Sequence, residues 1–511
     1  MSIVLNDAGF TLPLADEQAT ERLMRDIAIA LEPGDVITLS GDLGAGKTTF
    51  ARALVRYLAG DAGMEVPSPT FTLMQVYQLP RFPLVHADFY RLADSSELAE
   101  LGFDDLPEGA VTVIEWPERA ANALPPDRLD IALSLVPERG PSHRNAGITG
   151  HGRFAARGAR IGLMRALLDQ GRFAGAARAR LAGDASTRAY ERVGTDDARA
   201  ILMNSPRRPD GPPVKDGKPY SAIAHLAEDV VPFVAMARGL RERGFSAPEI
   251  FQADLEHGLL LLEDLGDETV VTGNPPAPIP ERYEAAVDCL VALHRMTLPP
   301  TLPVREGLDY ALPSYDMDAL LIEAELLLDW YLPHVGASVS DAAREAFFTA
   351  WRAVLAPVIA APATWVLRDF HSPNIIWLPE RTGIARVGLL DFQDALLGSP
   401  AYDLASLLQD ARVDVPEELE LSLLRQYVQA RGGADPDFNS AVFATHYATL
   451  AAQRATKILG IFARLNHRDG KPQYLRHIPR IWGYLSRSLP HPALRMINAW
   501  YSEHVPALDR T

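Results

Sequence analysis

The first 135 residues alternate short apolar runs with segments whose apolar residues recur at helical spacing. Asp16 precedes such a segment at 17–31 and predicts a helix that begins with a side-chain cap. Residues 36–40, VITLS, form a short apolar run that is typical of a strand buried on both faces. Helical spacing returns at 50–60, and further strands are predicted within TLMQVYQL, LVHAD and VTVIEW. This alternation predicts an α/β domain with a parallel-dominated sheet.

The pattern changes near residue 181. RAYERV and RAILM predict a hairpin, a helix is expected through 220–243, and strands are expected at EIFQAD and GLLLLEDL. The rest of the chain is mostly helical in pattern, apart from a strand-like segment at 364–394. We therefore expect a small sheet-rich lobe followed by a larger helical lobe. Two stretches rich in Gly, Pro or polar residues, 137–160 and 204–219, are interpreted as loops or linkers.

Composition limits the classes of function. The 511 residues carry 49 Lys+Arg against 66 Asp+Glu, a formal charge of −17. This balance disfavours wholesale non-specific nucleic-acid binding, although a local basic patch is compatible with it. The single cysteine, Cys289, excludes an internal disulfide, and Cys/His zinc spacing is absent. Because no apolar run approaches membrane-spanning length and the N-terminus lacks signal-peptide order, we expect a cytoplasmic protein.

A glycine-rich segment after residue 40 fits the pattern G-x4-G-K-[ST]. Its glycines let backbone N–H groups face phosphate oxygens at the start of a helix. Lys47 is expected to reach the β- and γ-phosphates and to act in catalysis, and Thr48 to offer its hydroxyl to Mg²⁺. The alternative, a chance glycine-rich turn, is disfavoured by the strand before it and the helix after it. The predicted nucleotide contacts are Gly41, Asp42, Leu43, Gly44, Ala45, Gly46, Lys47, Thr48 and Thr49.

Two carboxylates lie at the ends of later predicted strands. Asp88 ends LVHAD and is a candidate direct or indirect metal ligand, or a residue that caps a turn. Glu115 ends VTVIE, and such a position lies at the sheet edge where phosphate sites form. Its alternative is a solvated strand end. Residues 68–71 are interpreted as either a switch loop or a proline turn.

These segments resemble the TsaE family, the ATPase subunit of the bacterial complex that makes threonylcarbamoyladenosine beside the tRNA anticodon. The resemblance is carried by GDLGAGKTTFARAL, VPSPTFTLMQVY, HADFYRL, ELAELGFDD and IEWPER. It implies ATP and Mg²⁺ binding, with Thr48 and Glu115 near the metal, Asp88 as a Walker-B-like carboxylate and Trp116 near the nucleotide. It implies ATP hydrolysis that resets the complex, not carbamoyl transfer. The implied partners are TsaB- and TsaD-like subunits and, through them, tRNA.

A second group of polar residues lies in the predicted helical lobe. Asn374 follows Asp369 in the segment LRDFHSPN, and Asp391 lies in LLDFQDA. Their spacing resembles the catalytic loop and metal-binding Asp of kinase-like phosphotransferases. Asp369 is a candidate to orient or deprotonate an acceptor hydroxyl, while Asn374 and Asp391 offer oxygen ligands to Mg²⁺. The alternative is a polar hairpin with a solvated Asp, and His371 is either an acceptor or phosphate contact or a structural histidine.

Other segments fit a nucleotide-binding lobe. Ser186 and Arg188 lie in a segment interpreted as either a phosphate-covering turn or an ordinary glycine turn. The strand predicted at GLLLLEDL ends in Glu263 and Leu265, where a kinase-like chain passes behind the adenine ring. Both are therefore candidate nucleotide contacts, through backbone groups.

The larger resemblance is to the aminoglycoside-phosphotransferase superfamily and, within it, to the AmgK family of cell-wall-recycling sugar kinases. It rests on AGDASTRAYERV, ILMNSP, LLLEDLGD, LRDFHSPNIIWL, GLLDFQDALLGSPAYDLASLLQDAR and QRATKILGIFARL. It implies ATP-dependent phosphorylation of the anomeric hydroxyl of N-acetylmuramate and N-acetylglucosamine. The alternative acceptors are an aminoglycoside, choline or homoserine. A different alternative makes either domain a nucleotide-sensing regulatory module.

Two positions depart from the superfamily pattern. Leu367 stands where many members carry His, and RAILM ends in Met203 where a phosphate-contacting lysine is expected. Lysine is scarce throughout the chain, and the small lobe holds only Lys215 and Lys218, both in a proline-rich loop. Either one of these or Arg188 replaces the missing contact, or the lobe lacks it.

A basic helix face is a candidate acceptor site. Lys457 recurs at helical spacing with Gln453, Gly460 and Arg464, and Arg454 is adjacent. Such a face fits the carboxylate of N-acetylmuramate, and a solvated basic face is the alternative. The candidate acceptor contacts are His371, Asp394, Arg454 and Lys457.

Together these patterns predict a bifunctional protein that uses ATP and Mg²⁺. Its predicted fold class is multidomain α/β and α+β, with a P-loop NTPase-like sheet domain followed by a two-lobed, protein-kinase-like domain. The predicted boundaries are 1–158 for the ATPase, 159–180 for a linker and leading helix, 181–266 for the small lobe and 267–511 for the helical catalytic and acceptor lobe. Neither DNA nor a membrane is an expected partner. The coupling of the two activities and the oligomeric state stay open.

Overall fold

The structure is a computed structural model that describes residues 3–92, 97–100, 105–181, 188–195, 197–208 and 211–506. The chain divides into two compact units. Unit 1 is Met1–Asn204 with Leu259–Leu261, and unit 2 is Ser205–Gly258 with Leu262–Thr511. Within the described ranges, no helix combines the length and the apolar character needed to cross a membrane. The predicted boundary at residue 158 falls inside a helix, and the domain boundaries remain predictions.

Unit 1 is built from a large mixed sheet, a small antiparallel sheet and four helices among its described residues. The helices are α1 Glu17–Ala30, α2 Lys47–Ala59, α3 Glu97–Glu100 and α4 Phe154–Asp169. The strands are β1 Val4–Asn6, β2 Gly9–Leu14, β3 Val36–Ser40, β4 Met74–Gln78, β5 Pro83–Asp88, β6 Val111–Glu115, β7 Arg128–Leu135, β8 Arg144–His151, β9 Ala177–Arg180, β10 Ala189–Gly194 and β11 Arg199–Asn204.

The large sheet has the order β1-β2-β8-β7-β3-β6-β5-β4. Strand β3 is parallel to β6 and β7, and β5 is parallel to β6. The other neighbouring strands run antiparallel. The expectation of a parallel-dominated sheet is therefore wrong outside the centre. The physical reason is that short turns join β4 to β5 and β7 to β8, and a short turn can only connect antiparallel strands.

The local predictions around the sheet centre are confirmed. Asp16 caps α1, since its Oδ1 accepts a 2.7 Å hydrogen bond from the backbone N–H of Ala19. Strand β3 has a buried centre and leads through the glycine-rich loop directly into α2. The predicted hairpin is also present, with β10 antiparallel to β11 and Tyr190 opposite Met203. The core of this region is apolar and includes Leu23, Ile27, Ile37, Phe50, Leu54 and Val113.

The interpretation of 137–160 as a loop or linker is wrong. Residues Arg144–His151 form strand β8, and α4 begins at Phe154. The glycines that suggested irregularity serve close packing of α4 on the sheet. A Cβ on Gly158 would lie 3.2 Å from the carbonyl oxygen of Ala8 on the sheet side and 3.3 Å from the backbone nitrogen of Gly150 on β8. Glycine at these positions therefore reflects a tertiary contact, which local composition does not reveal.

Unit 2 is mostly helical. Its helices are α5 Tyr220–Ile223, α6 Val231–Glu242, α7 Pro280–His294, α8 Met317–Leu326, α9 Leu332–His334, α10 Asp341–Ala360, α11 Ala401–Leu408, α12 Glu417–Gly432, α13 Ser440–Asp469, α14 Ile478–Ser488 and α15 Arg495–His504. Its strands are β12 Pro213–Lys215, β13 Lys218–Pro219, β14 Ile250–Asp254, β15 Leu259–Glu263, β16 Val271–Thr272, β17 Ala277–Pro278, β18 Thr301–Arg305, β19 Leu308–Ala311, β20 Thr364–Val366, β21 Ile375–Trp377, β22 Val387–Leu389 and β23 Leu396–Gly398. The first three residues of β15 group with unit 1.

Two predictions in unit 2 need correction. The stretch 204–219 is not all loop, because β12 and β13 pair as a short antiparallel hairpin. The single helix expected through 220–243 is divided into α5 and α6. Pro232 in the first turn of α6 explains the division, since its ring and missing N–H are incompatible with a helix continuing through it.

The strand-like segment at 364–394 contains β20, β21 and β22, which take part in two separate strand pairs around the second polar motif. Strand β20 pairs with β23, and β21 pairs with β22, both antiparallel. The long helix α13 packs closely on α8, where a Cβ on Gly460 would lie 2.3 Å from the carbonyl carbon of Leu326. The polar motif lies at the ends of β21 and β22, since Asn374 directly precedes β21 and Asp391 follows β22.

Candidate active sites

The P-loop of unit 1 has the backbone shape that phosphate binding requires. Gly41 and Gly46 adopt φ values of 130° and 107°, in a region that L side chains rarely enter. A Cβ on Gly41 would also lie 2.1 Å from the carbonyl oxygen of Leu133. The N-terminus of α2 begins at the next residue, Lys47, so its unpaired N–H groups face the loop. Arg144 supports the loop from β8 through a 3.0 Å hydrogen bond to the carbonyl of Ala45.

Lys47 is nearly buried and is held inside the loop. Its Nζ donates to the carbonyl oxygens of Gly41 at 2.6 Å and Asp42 at 3.0 Å. It also lies 3.6 Å from the ring centroid of Trp116, within cation–π range. Burial lowers the pKa of Lys47, and the charge of Glu115 opposes that shift. A bound phosphate would give the Lys47 ammonium an anionic partner, which the two neutral carbonyl groups of Gly41 and Asp42 do not provide.

Glu115 is held between two side chains at the end of β6. Its Oε2 accepts a 2.8 Å hydrogen bond from the Thr48 hydroxyl, and its Oε1 lies 2.9 Å from His86 Nε2. Glu115 and His86 are both buried, so the solvated strand end considered for Glu115 is excluded. His86 was not identified from the sequence. The only available signal was its place two residues before Asp88 on the same strand.

Asp88 connects the loop at 68–71 to the site. Parallel pairing of β5 with β6 places Asp88 beside Glu115. Its Oδ2 accepts a 2.7 Å hydrogen bond from the Thr70 hydroxyl, which lies 2.8 Å from the Ser68 hydroxyl. Its Oδ1 accepts from the backbone N–H of Tyr90 at 3.0 Å, so the turn-capping role considered for Asp88 is also present.

These groups face one cavity of about 310 Å³. It is lined by the P-loop and α2 on one side and by polar and aromatic side chains on the other: Leu43, Gly44, Gly46, Lys47, Thr48, Thr49, Thr70, Asp88, Tyr90, Glu115 and Trp116. The structure therefore brings sequence-predicted residues from four segments into a single site. Its described lining residues provide one cation, two carboxylates and several hydroxyl groups. Such a site can bind a polyphosphate and orient a divalent cation.

The second polar motif lies at one end of the β21–β22 pair in unit 2, where Asn374 precedes β21 and Asp391 follows β22. Asn374 Nδ2 donates to the backbone carbonyl of Asp369 at 3.0 Å and lies 3.4 Å from Asp391 Oδ2. Gln393 donates to Asp391 Oδ1 at 2.7 Å. Asp391 has φ 57°, a left-handed conformation that is uncommon outside glycine and is concentrated at functional sites. These contacts fix Asn374 and Asp391, whereas the Asp369 side chain is 36% exposed, as the solvated Asp of the hairpin alternative requires.

Two buried carboxylates, not identified from the sequence, hold the backbone of this motif. Asp403 accepts hydrogen bonds from the N–H groups of Leu367 and Arg368 at 2.6 and 2.8 Å. Burial raises the pKa of Asp403 to about 7, although those N–H groups favour its ionised form. Asp410 accepts from the backbone N–H and hydroxyl of Ser372 at 2.8 and 2.5 Å. The LRDFHSPN segment is thus fixed at both ends.

The surroundings of Asp369 favour its ionised form. Burial opposes the charge of Asp369, yet neighbouring basic side chains, first His371 and then Lys457, hold its pKa below the usual value. His371 Nε2 lies 4.0 Å from Asp369 Oδ1, and burial lowers the pKa of His371 to about 4. In the described part of the chain, the buried Nδ1 of His371 has no hydrogen-bond partner. The geometry therefore leaves both roles considered for His371 open.

The predicted acceptor face on α13 is buried, so the solvated basic face is excluded. Lys457 Nζ forms a 2.6 Å ion pair with Glu323, and Gln453 donates to the carbonyl of Leu320 at 2.9 Å. Arg454 donates to the carbonyl of Gln409 at 3.0 Å. Asp394 accepts from the backbone N–H of Ala227 at 2.6 Å. Acceptor contacts by these side chains remain predictions.

The predicted nucleotide contacts outside the two motifs are only partly described. Ser186 lies outside the described residues, while Arg188 is described and half-buried. Glu263 is ion-paired with Arg241 at 3.2 Å and with Arg381. Leu265 is buried.

The expected small-lobe lysine remains unassigned. Met203 is buried on β11, and Lys215 lies 3.8 Å from Asp318 on the surface. Lys218 is exposed. The structure therefore does not select Lys215, Lys218 or Arg188 as the phosphate contact of the small lobe.

Comparison with known proteins identifies both halves. Residues 14–143 match the family described as threonylcarbamoyl adenosine biosynthesis protein TsaE, and residues 178–440 match the phosphotransferase enzyme family. An N-acetylmuramate/N-acetylglucosamine kinase from Caulobacter vibrioides is 41% identical over 362 residues, covering 68% of this chain and 96% of that protein. The protein of the same name from Pseudomonas aeruginosa is 32% identical over 311 residues, covering 60% of this chain and 82% of that protein.

The N-terminal part of the chain matches a different protein. The tRNA threonylcarbamoyladenosine biosynthesis protein TsaE of Rickettsia bellii is 37% identical over 123 residues, covering 24% of this chain and 85% of that protein. Each of these relatives is matched over most of its own length by a different part of the chain. The chain therefore belongs to the TsaE family through its N-terminal part and to the phosphotransferase enzyme family through its C-terminal part.

Proposed function

We propose that this protein joins an ATP-hydrolysing subunit for tRNA threonylcarbamoyladenosine synthesis to an ATP-dependent kinase for N-acetylmuramate and N-acetylglucosamine, and that both work in the cytoplasm. The observation that carries the kinase half is the match over 96% of the Caulobacter kinase together with the Asp369–Asn374–Asp391 arrangement. The P-loop cavity and the TsaE match carry the ATPase half.

The ATPase site fits Mg²⁺ as well as ATP. Thr48 and Glu115 present oxygen atoms 2.8 Å apart beside the P-loop, and Asp88 offers a further carboxylate. The described residues contain no cluster of three or more acidic, His or Cys side chains that could hold a metal alone. Mg²⁺ commonly takes one or two carboxylates from the protein and completes its shell with phosphates and water. When bound, it neutralises charge on the phosphates, while Lys47 and the P-loop amides orient them.

The kinase site fits the same chemistry. Asn374 and Asp391 offer adjacent oxygen ligands for Mg²⁺, and Asp369 lies on the same fixed segment. Asp369 orients the anomeric hydroxyl and accepts its proton as the oxygen bonds to the γ-phosphorus of ATP, while the bond from that phosphorus to the β,γ-bridging oxygen breaks and ADP leaves. Positioning and charge neutralisation account for most of the rate in such a transfer.

The acceptor is tested with the full-length protein, ATP and N-acetylmuramate or N-acetylglucosamine, followed by mass spectrometry and ³¹P NMR of the products. We expect phosphate on the anomeric oxygen, and its loss in Asp369→Asn. The control Lys47→Ala disables the P-loop and should leave the sugar phosphate unchanged. If only an aminoglycoside, choline or homoserine is phosphorylated, the cell-wall assignment is wrong.

The ATPase half is tested by adding the protein to TsaB- and TsaD-type subunits with tRNA, and by measuring repeated turnover of threonylcarbamoyladenosine. We expect the wild type and Asp369→Asn to sustain turnover and Lys47→Ala to fail. Binding of ATP without any effect of Lys47→Ala on turnover would support a nucleotide-sensing module instead.

A further inference from the structure

A buried carboxylate in unit 2 collects several hydrogen-bond donors behind the kinase motif. Glu323, on α8, is fully buried and is bound by Arg368 and by Lys457, whose Nζ lies at 2.6 Å. Its other oxygen accepts from the Tyr315 hydroxyl at 2.5 Å and from Gln453 at 3.2 Å. Four donors from three separate segments therefore converge on one carboxylate.

The charges in this cluster depend on one another. Burial opposes the charge of Glu323, yet Lys457 and Arg368 lower its pKa to about 2. Burial likewise opposes the charge of Lys457, and Glu323 raises the pKa of Lys457 above its ordinary value. Removing the carboxylate would leave two buried cations facing each other without an anion between them, which proteins tolerate poorly.

The cluster bears directly on the backbone before Asp369. Arg368 has φ 70°, a left-handed conformation that is unfavourable for a residue with a Cβ and persists only where surrounding contacts enforce it. Its guanidinium is fixed by Glu323 and its N–H by Asp403. Because Asp369 is the next residue, the direction of its side chain depends on this conformation.

We propose that Glu323 is a positioning residue for phosphoryl transfer: it holds Arg368 in its left-handed conformation and thereby aims the Asp369 carboxylate at the acceptor hydroxyl. This inference rests on the kinase function proposed above. In the same arrangement Lys457 neutralises Glu323 and does not bind the acceptor, which agrees with its small exposed fraction of 12%. An error in aim of about 1 Å at a reacting group lowers turnover by roughly 100-fold.

The central variant is Glu323→Gln, which keeps the side-chain shape and removes the charge. We expect kcat for sugar phosphorylation to fall by roughly 100-fold, while KM for the sugar and for ATP changes by less than about threefold. The matched control is Glu325→Gln on the same helix, whose partner is the partly exposed Arg344. The control should retain the kinetic constants of the wild type.

If Glu323→Gln folds poorly, Lys457→Met still tests the proposal, because this variant keeps the Glu323–Arg368 pair. We expect a modest fall in kcat and an unchanged sugar KM. Adding Lys457→Met to Glu323→Gln should recover part of the lost kcat, since it removes one unpaired buried cation. Before the kinetic constants are measured, circular dichroism and thermal melting establish that each variant is folded.

The outcomes separate the two proposals. No sugar phosphate from the wild type contradicts the proposed function. An active wild type with unchanged kcat in a folded Glu323→Gln contradicts the positioning role alone. A sugar KM raised tenfold or more in Lys457→Met, with kcat unchanged, would assign Lys457 to acceptor binding and overturn its role here.

Discussion

Four buried charged side chains form a network in unit 1. We use it to predict how the TsaE-like part is held against the first strands of the phosphotransferase match. Asp26, on α1, binds Arg165 of α4 through two hydrogen bonds of 2.7 and 2.8 Å. Its Oδ1 also lies 3.0 Å from Arg178 Nη1, an ion pair with β9. Arg178 in turn binds Glu191 on β10 at 2.6 and 2.9 Å. Since the phosphotransferase match begins at residue 178, this network links the TsaE part to the first strands of the kinase part.

The network is electrically neutral, with two carboxylates and two guanidinium groups. None of the four side chains is more than 6% exposed. Burial opposes the charge of Arg178, yet Asp26 and Glu191 raise its pKa above the usual value. Replacing Asp26 by Asn leaves Arg165 with weaker partners, Asp169 at 3.7 Å and the carbonyl of Ala176 at 3.4 Å. Breaking a buried pair in this way costs about 3–5 kcal/mol, because a charge stays buried without its counterpart.

The prediction is therefore that Asp26→Asn lowers the free energy of unfolding by about 3–5 kcal/mol. The matched control is Glu21→Gln on the same helix, whose exposed pair with Arg25 at 3.5 Å contributes only about 0.3–0.5 kcal/mol. Urea unfolding gives the magnitudes. Hydrogen exchange gives the location, and we expect faster exchange in α1, α4 and β9–β10 together. A loss below about 1 kcal/mol, or faster exchange in α1 alone, would refute the argument that the network joins the two parts.

Three further predictions concern the separate sites. Lys47→Ala should weaken nucleotide binding at the P-loop by 100-fold or more in isothermal titration, because it removes the one cation among the described residues that line that cavity. Asp369→Asn should lower kcat for the sugar kinase by about 1,000-fold, with P-loop ATP hydrolysis unchanged in a phosphate-release assay. The pKa of His294, buried beside Tyr427, is lowered to about 3, chiefly by burial. The unfolded state therefore binds the extra proton, and stability falls as pH drops from about 6.5 toward 3, by up to about 1.4 kcal/mol per pH unit. His294→Asn should flatten part of that slope in pH-dependent urea unfolding.

The two catalytic motifs were predictable because their chemistry is contiguous in the chain. Lys47 and Thr48 follow a buried strand, and local backbone geometry alone brings them to the N-terminus of α2. Asn374 directly precedes β21 and Asp391 follows β22, and antiparallel pairing of these two strands brings the two residues together. Local backbone geometry places the first pair, and the pairing of two neighbouring strands places the second.

The supporting residues were not predictable, because their partners are distant in sequence. His86 meets Glu115 across two parallel strands. Asp403 reaches back to the backbone of Leu367 from a later helix. Glu323 meets Lys457 only because α8 and α13 pack together. A single sequence carries no spacing rule for such pairs.

What the sequence alone determined is the chemistry that can be encoded in short segments: the phosphate-binding loop, the carboxylates of the kinase motif, and the caps and apolar faces of individual helices. Only the tertiary structure decided the strand directions at the sheet edges, the strand and helix within 137–160, and the buried charge networks around Asp26 and Glu323. The reason is physical. Short-range geometry follows from residue type and backbone sterics, whereas burial of a charge or a close glycine contact is a property of surfaces that meet only in the folded chain.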